Sequence, residues 1–333
     1  MRDFFKTIKM VFSLIASLIG LFACESASPF HKKDGVWYFE SHKLGVAATT
    51  PLMALNDRFA RVGDRIFYRE DAIRGADGAT FVALDDHYGK DKSAVYFGDT
   101  YRDGKDYFLV KRVRVGPIIE ADTVSFRLLK DGYAADAKYA YFWGAPFVVR
   151  DVASFEVLEY GFTRDRIRGY SRTIEIAGSD GASFAAIDID YAKDATHAWY
   201  SYLDNNPKTG RMQSAVIAIK GVDAASFVGK TSGYAVDAKR VYYKGSAISA
   251  SPNGFECLSL SYAKNMSEVL YYGQKISGAD AATFHVLQPA QQDADAVDGV
   301  SRYLDGKQLC TGSTACTAQA NAKIASEMSR LPR

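Results

Sequence analysis

One short pattern, Asp-x-x-Ser/Thr-Phe, recurs along the chain and restricts the folds open to it. It occurs as DGATF (77–81), DTVSF (122–126), DVASF (151–155), DGASF (180–184), DAASF (223–227) and DAATF (280–284), with a worn copy, SPNGF, ending at Phe255. The phenylalanines Phe81, Phe126, Phe155, Phe184, Phe227, Phe255 and Phe284 are spaced 45, 29, 29, 43, 28 and 29 residues apart. The unit is therefore about 29 residues long, and two copies carry insertions of 16 and 14. Self-similarity at this period is the mark of small supersecondary units that stack.

A second landmark keeps register with the first. Ten residues beyond successive box phenylalanines stand Asp91, Asp136, Asp165, Asp194, Asp237 and Asn265, and five further on Tyr96, Tyr141, Tyr170, Trp199, Tyr242 and Leu270. The strings DKSAVYF (91–97), DATHAWY (194–200) and DAKRVYY (237–243), each followed by another Asp box, resemble the DKNYY repeat family of bacterial envelope proteins over about residues 34–309. That resemblance implies an architecture and a cell-envelope location. It implies no catalytic residues, because the family has no assigned activity.

Residue types define each unit. The box Asp caps a short helical or 3₁₀ turn, and the Phe is the first bulky residue placed to be buried. FHVL, FEVL and FVAL alternate as short strands; the recurring Asp then bonds local backbone donors in a turn. RVYY and AVYF have strand propensity, and Gly98, Gly144, Gly245, Gly273 and Gly306 supply the next reversal. The expected fold is all-β: about eight antiparallel hairpin or meander repeats of about 29 residues with short 3₁₀ or helical turns, after an N-terminal signal helix. A single unit buries too little apolar surface to offset its backbone entropy, so stacking is obligatory. A β-solenoid-like array and a propeller-like ring both satisfy this requirement; varied insertions and eroded ends favour the open array. The insertions lengthen hairpins at about 98–120 and 201–221. In the first, Arg112 and Arg114 alternate with Val113 and Val115, giving a projecting hairpin whose basic residues guard a sheet edge; use as a partner-binding surface is the sharper, secondary reading.

The N-terminus reads as an export signal. Arg2, Lys6 and Lys9 precede an apolar run of thirteen residues (10–22), short for a membrane span, and LFAC (21–24) resembles a lipobox with Cys24 as the lipidated residue. Expected domains are a signal peptide (1–23), a lipidated linker (24–33), the repeat domain (34–309) and a small-residue tail (310–333). Glu25 after the cysteine implies the outer membrane, facing the periplasm, with the membrane as a partner through the N-terminal lipid. Without residues 1–23 the chain carries 38 basic and 38 acidic residues, which gives no reason to expect nucleic acid. In an oxidising compartment Cys310 and Cys316 suit a short-loop disulfide, while Cys257 occupies an apolar position and is expected to be a buried, inert thiol.

Enzyme-like strings dissolve into the repeat. Ser261-x-x-Lys264 shares its register with DYAK (190–193), where the serine position is Asp190. The recurring acids are equivalent turn residues, so no catalytic residue, metal or cofactor is expected. Asp237→Ala should cost ~1 kcal/mol, as for a cap. The leading functional reading is a non-catalytic envelope lipoprotein, a scaffold for structural or protein-partner roles. The alternative is a glycan- or peptidoglycan-binding module using Tyr96, Tyr141, Trp199, Tyr242 and Tyr243, which requires those rings to face solvent.

Overall fold

The structure, a computed structural model, describes residues 28–311 other than 103, 105, 106, 208, 209, 211, 250, 292 and 293. The expected signal helix, Cys24 and Cys316 lie outside the described residues. Among the described residues, strands in chain order form nine small antiparallel sheets: sheet 1 (30–47), sheet 2 (52–72), sheet 3 (82–118), sheet 4 (127–147), sheet 5 (156–175), sheet 6 (185–218), sheet 7 (228–249), sheet 8 (256–275) and sheet 9 (285–311). Sheet 1 has three strands and the others four, each an open meander of sequential neighbours. The expected all-β hairpin array is the fold observed.

Two boundaries differ from the sequence expectation. The nine sheets of the described residues fit the expected repeat number of about eight, but the first begins at Phe30, inside the expected linker. The strand Phe30–Lys33 pairs with Val36–Phe39 because Asp34 and Gly35 both take positive φ, 49° and 74°, in a tight reversal. The stretch precedes the first recognisable repeat landmark and so reads as linker, yet Phe30 is buried. The last strand, Lys307–Thr311, likewise runs beyond residue 309.

The chain divides between Val124 and Ser125 into two compact units, sheets 1–3 and sheets 4–9. Within each unit the core lies between sheets. In the first, Phe39 and Leu44 of sheet 1 meet Ala60 and Phe67 of sheet 2, while Phe59 and Tyr68 meet Phe81 and Tyr96 of sheet 3. In the second, apolar clusters join sheets 4 and 5, 5 and 6, 6 and 7, 7 and 8, and 8 and 9. All seven box phenylalanines are buried, none more than 8% exposed.

The repeated contact is an aromatic triplet. The Phe227 ring lies 5.6 Å from Tyr191 of the preceding sheet and 5.8 Å from Tyr242 of its own. Phe284 lies between Tyr262 and Tyr303 at 5.4 and 5.2 Å, and Phe184 between Phe162 and Trp199 at 6.2 and 6.0 Å. Such pairs add about 0.5–1.5 kcal/mol each beyond the area they bury. A two- to four-residue strand has little core of its own, so most of its apolar area is buried against a neighbouring sheet.

The long hairpins form where the insertions place them. Val95–Tyr101 pairs with Arg112–Ile118, and Ala198–Asn205 with Met212–Ala218. Arg112 and Arg114 are exposed, while Val113 and Val115 pack toward the seam of sheets 2 and 3.

Candidate functional site

Each recurring acid is a buried acceptor that closes a turn, and Asp91, Asp165, Asp194 and Asp237 also fasten that turn to the box preceding their own strands. Asp237 Oδ1 accepts N–H bonds from Lys239 and Arg240, both at 2.7 Å, and its Oδ2 accepts the Asp223 N–H at 3.0 Å and the Tyr242 hydroxyl at 2.6 Å. The spacing of the two sequence landmarks follows from this. Oδ1 closes the reverse turn, whereas Oδ2 reaches back fourteen residues to the box and forward five to the tyrosine. Asp91 and Asp165 repeat the arrangement with Tyr96 and Tyr170. Asp136 closes its turn and accepts from Tyr141, while Asp194 closes its turn and accepts the Asp180 N–H, with Trp199 at the tyrosine position. In the worn copy Asn265 closes the turn through Oδ1 but donates through Nδ2 to the Ser251 carbonyl. Burial works against ionisation of Asp91, Asp165, Asp194 and Asp237, but their combined donors hold the carboxyls below the usual carboxylate range.

A sixth acid escaped the ten-residue count. Asp298 lies eighteen residues after the box residue Asp280, whose N–H it accepts at 3.0 Å, and it also accepts the Tyr303 hydroxyl at 2.7 Å. Four extra residues before it shift the count from Phe284 onto Ala294. The five-residue step from Asp298 to Tyr303 was the signal that identifies it.

Two further contacts lock sheet to sheet. The cation preceding a recurring acid caps the next box: Lys193 Nζ donates to the Ala224 and Phe227 carbonyls, both at 2.9 Å. Lys264 does the same to Ala281 and Phe284, so the lysine of the Ser-x-x-Lys string is engaged structurally. The aromatic after the landmark tyrosine lies against the turn glycine of the following sheet. A Cβ on Gly273 would meet the Tyr243 ring at 2.3 Å, and one on Gly306 would meet Tyr271 at 2.4 Å. At sheets 5 and 6 the aromatic–glycine pair is replaced by Ser171 and Ser201, whose hydroxyls bond at 2.7 Å.

These contacts consume the rings expected to stack on sugars. Tyr96, Tyr141, Trp199 and Tyr242 are no more than 3% exposed, and Tyr243 is half-buried against Gly273. They pack between sheets and are not available to a glycan. The Asp box also departs in detail from the expected cap. Asp77 and Asp280 accept the N–H two residues on, but Asp151, before the 3₁₀ helix Val152–Ser154, makes no side-chain cap and instead accepts the Ser154 hydroxyl.

Surface chemistry gathers at the reversal between the first and second strands. Sheets 2, 3 and 4 carry Asp57, Asp86 and Asp131 at its tip, whereas sheets 5, 6 and 8 carry Tyr160, Ile189 and Leu260. Those three are 59%, 72% and 80% exposed. An open-sided groove of about 660 Å³ runs past Tyr160, Asp188, Ile189, Gly229, Lys230 and Cys257. Asp188 Oδ1 accepts the Asp190 and Tyr191 N–H groups, but Oδ2 is buried with no hydrogen-bond partner among the described residues. Burial raises the Asp188 carboxyl to about 6, against the pull of those two N–H groups. Glycine at 229 leaves room for the carboxyl, since a Cβ there would sit 2.1 Å from Oδ2. A ligand with an N–H or O–H donor and an apolar flank would match this chemistry. Cys257, expected to be buried, is a half-buried free thiol on the groove wall because the reversal of sheet 8 leaves one side open. Cys310 is disulfide-bonded. Among the described residues no group of His, Cys, Asp and Glu is arranged to hold a metal, and no helix is long and apolar enough to cross a membrane.

The model of the DKNYY family matches the chain over residues 7–100, 59–202 and 100–308. No curated protein and no solved structure matches it.

Proposed function

The chain belongs to the DKNYY family, and from that premise we propose a non-catalytic cell-envelope lipoprotein whose repeat array is a scaffold for a protein partner. The observation that carries the partner role is the change at equivalent reversals within the second unit, from Asp131 in sheet 4 to Tyr160, Ile189 and Leu260 in sheets 5, 6 and 8, with Ser232 at that of sheet 7. A position that solvates well as aspartate gains nothing for folding by becoming an 80% exposed leucine. The recurring acids support the non-catalytic part, because each is engaged as a buried multiple acceptor and none lies open to a substrate. The envelope location is supported by the basic, apolar start of the chain and its Leu-Phe-Ala-Cys string.

Two measurements test the reading. Mass spectrometry of the protein from cell membranes should find an N-terminus at Cys24 bearing acyl chains; an intact Met1 or an unmodified Cys24 would reject the lipoprotein. A photo-crosslinking residue at Ile189 in intact cells should trap a protein that the same probe at Asp131 does not. Equal or absent adducts at the two positions would remove the partner surface.

A further inference from the structure

The hairpin of sheet 3 ends in an apolar tip that nothing in its own unit covers. Beyond the paired strands, residues 107–110 read Tyr-Phe-Leu-Val, and Phe108 and Leu109 are 88% and 83% exposed. Tyr107 and Phe108 pack edge to face on each other at 5.2 Å, and the Arg102 guanidinium donates to the Tyr107 carbonyl, which braces the tip. The other long hairpin shows that length alone does not require this, because its tip reads Asn-Asn-Pro-Lys-Thr-Gly and Asn206 bonds Gln213. Four consecutive exposed apolar residues at a hairpin end form a convex knob, and soluble surfaces seldom leave such a patch uncovered.

Charge identifies what covers it. Lys111 and Arg112 follow the tip directly and are exposed, as are Arg102 and Arg114. Residues 99–114 carry five cations against three acids, in a chain whose overall balance is +2. Aromatic and aliphatic side chains at a tip, with cations just behind, match the interface of an anionic bilayer, where rings sit at the headgroup boundary and cations meet phosphate. We propose that this hairpin is a lipid-binding element that inserts residues 107–110 into an anionic membrane surface. The proposal does not depend on lipidation at Cys24, which would tether the chain without determining where the hairpin points.

The test places a reporter at the tip of the full chain. Phe108→Trp is read by fluorescence with vesicles of phosphatidylglycerol and phosphatidylcholine, with the unsubstituted chain as background for Trp37, Trp143 and Trp199. Insertion predicts a blue shift and stronger quenching by bromines near the headgroup end of the acyl chain than by bromines near its terminus, since interfacial elements sit only ~5–10 Å deep. Lys111→Glu in the same chain should weaken the vesicle dependence at least about fivefold at low salt, and pure phosphatidylcholine should bind more weakly than the mixture. Because the reporter sits at the tip, tethering by the N-terminus cannot mimic the signal. An indole that stays in water while the chain is on the vesicle overturns the proposal, as expected if the tip instead engages a protein. Equal quenching in neutral vesicles, unaffected by Lys111→Glu, overturns its anionic part.

Discussion

Removing the Asp237 carboxylate should cost far more than the loss of a surface cap. Asp237 is 4% exposed and accepts four bonds: two from N–H groups of its own turn, where Ala238 and Lys239 are exposed, and two from outside that turn, the Tyr242 hydroxyl and the Asp223 N–H. The turn donors of Lys239 and Arg240 can find water. The other two lose a charged partner where water enters poorly, at about 1.5–3 kcal/mol each. Asp237→Ala should therefore lower stability by about 3–6 kcal/mol, several times the ~1 kcal/mol of a helix cap. Tyr242→Phe alone should cost about 1.5–2 kcal/mol, because the carboxylate keeps three donors. In the Asp237→Ala background the same change should be neutral or stabilising, since it removes a stranded buried hydroxyl, giving a coupling of about 1.5–3 kcal/mol. Urea unfolding by far-ultraviolet circular dichroism measures the four chains, provided their m-values agree. A cost near 1 kcal/mol for Asp237→Ala, or an equal cost of Tyr242→Phe in both backgrounds, would refute the role assigned to the carboxylate.

Three other outcomes follow from the same geometry. Gly273→Ala should destabilise by more than about 2 kcal/mol in thermal melts, since Gly273 has φ +79° and the new Cβ would meet the Tyr243 ring at 2.3 Å; adding Tyr243→Ala should relieve the clash but leave the backbone strain. Asp188→Asn should stabilise by about 1 kcal/mol at pH 8 in urea titrations, a figure reduced for its partial solvent access. The folded carboxyl at about 6 lies above the unfolded value, so ionisation penalises folding above pH 6, and the benefit should fade as pH drops toward 4. Asn56 shows the substitution is compatible with the turn, as its Oδ1 accepts the Arg58 and Phe59 N–H groups. The recurring acids give the opposite slope: their depressed values make stability complete above the unfolded aspartate value of about 3.9 and lost as pH falls through the lower folded values, so acid titration by circular dichroism should show cooperative unfolding below about pH 4.

Much of this architecture was legible because the same physical problem is solved repeatedly. Phenylalanines at a 29-residue period announced a shared seam, and the fixed step from Asp237 to Tyr242 announced a bond across one turn. Legibility failed where spacing slipped, as at Asp298, or where a strand lay outside the repeated landmarks, as at Phe30–Lys33. The aromatic side chains were the instructive miss. Their residue type suits a sugar platform as well as an intersheet core, and only the glycines at 245, 273 and 306, kept small for a neighbouring ring, distinguish the two. Asp188 was hidden for another reason: its isolation depends on Gly229, forty-one residues away, and no local pattern encodes that meeting.

A sheet holds its structure through the seam it shares with the next one. Hydrogen exchange on the full chain carrying Phe227→Ala measures this directly, because Phe227 lies between Tyr191 of sheet 6 and Tyr242 of sheet 7. Amide protection should fall together in sheets 6 and 7 and much less in sheet 9. Loss confined to sheet 7, with sheet 6 as protected as before, would contradict this dependence on the shared seam.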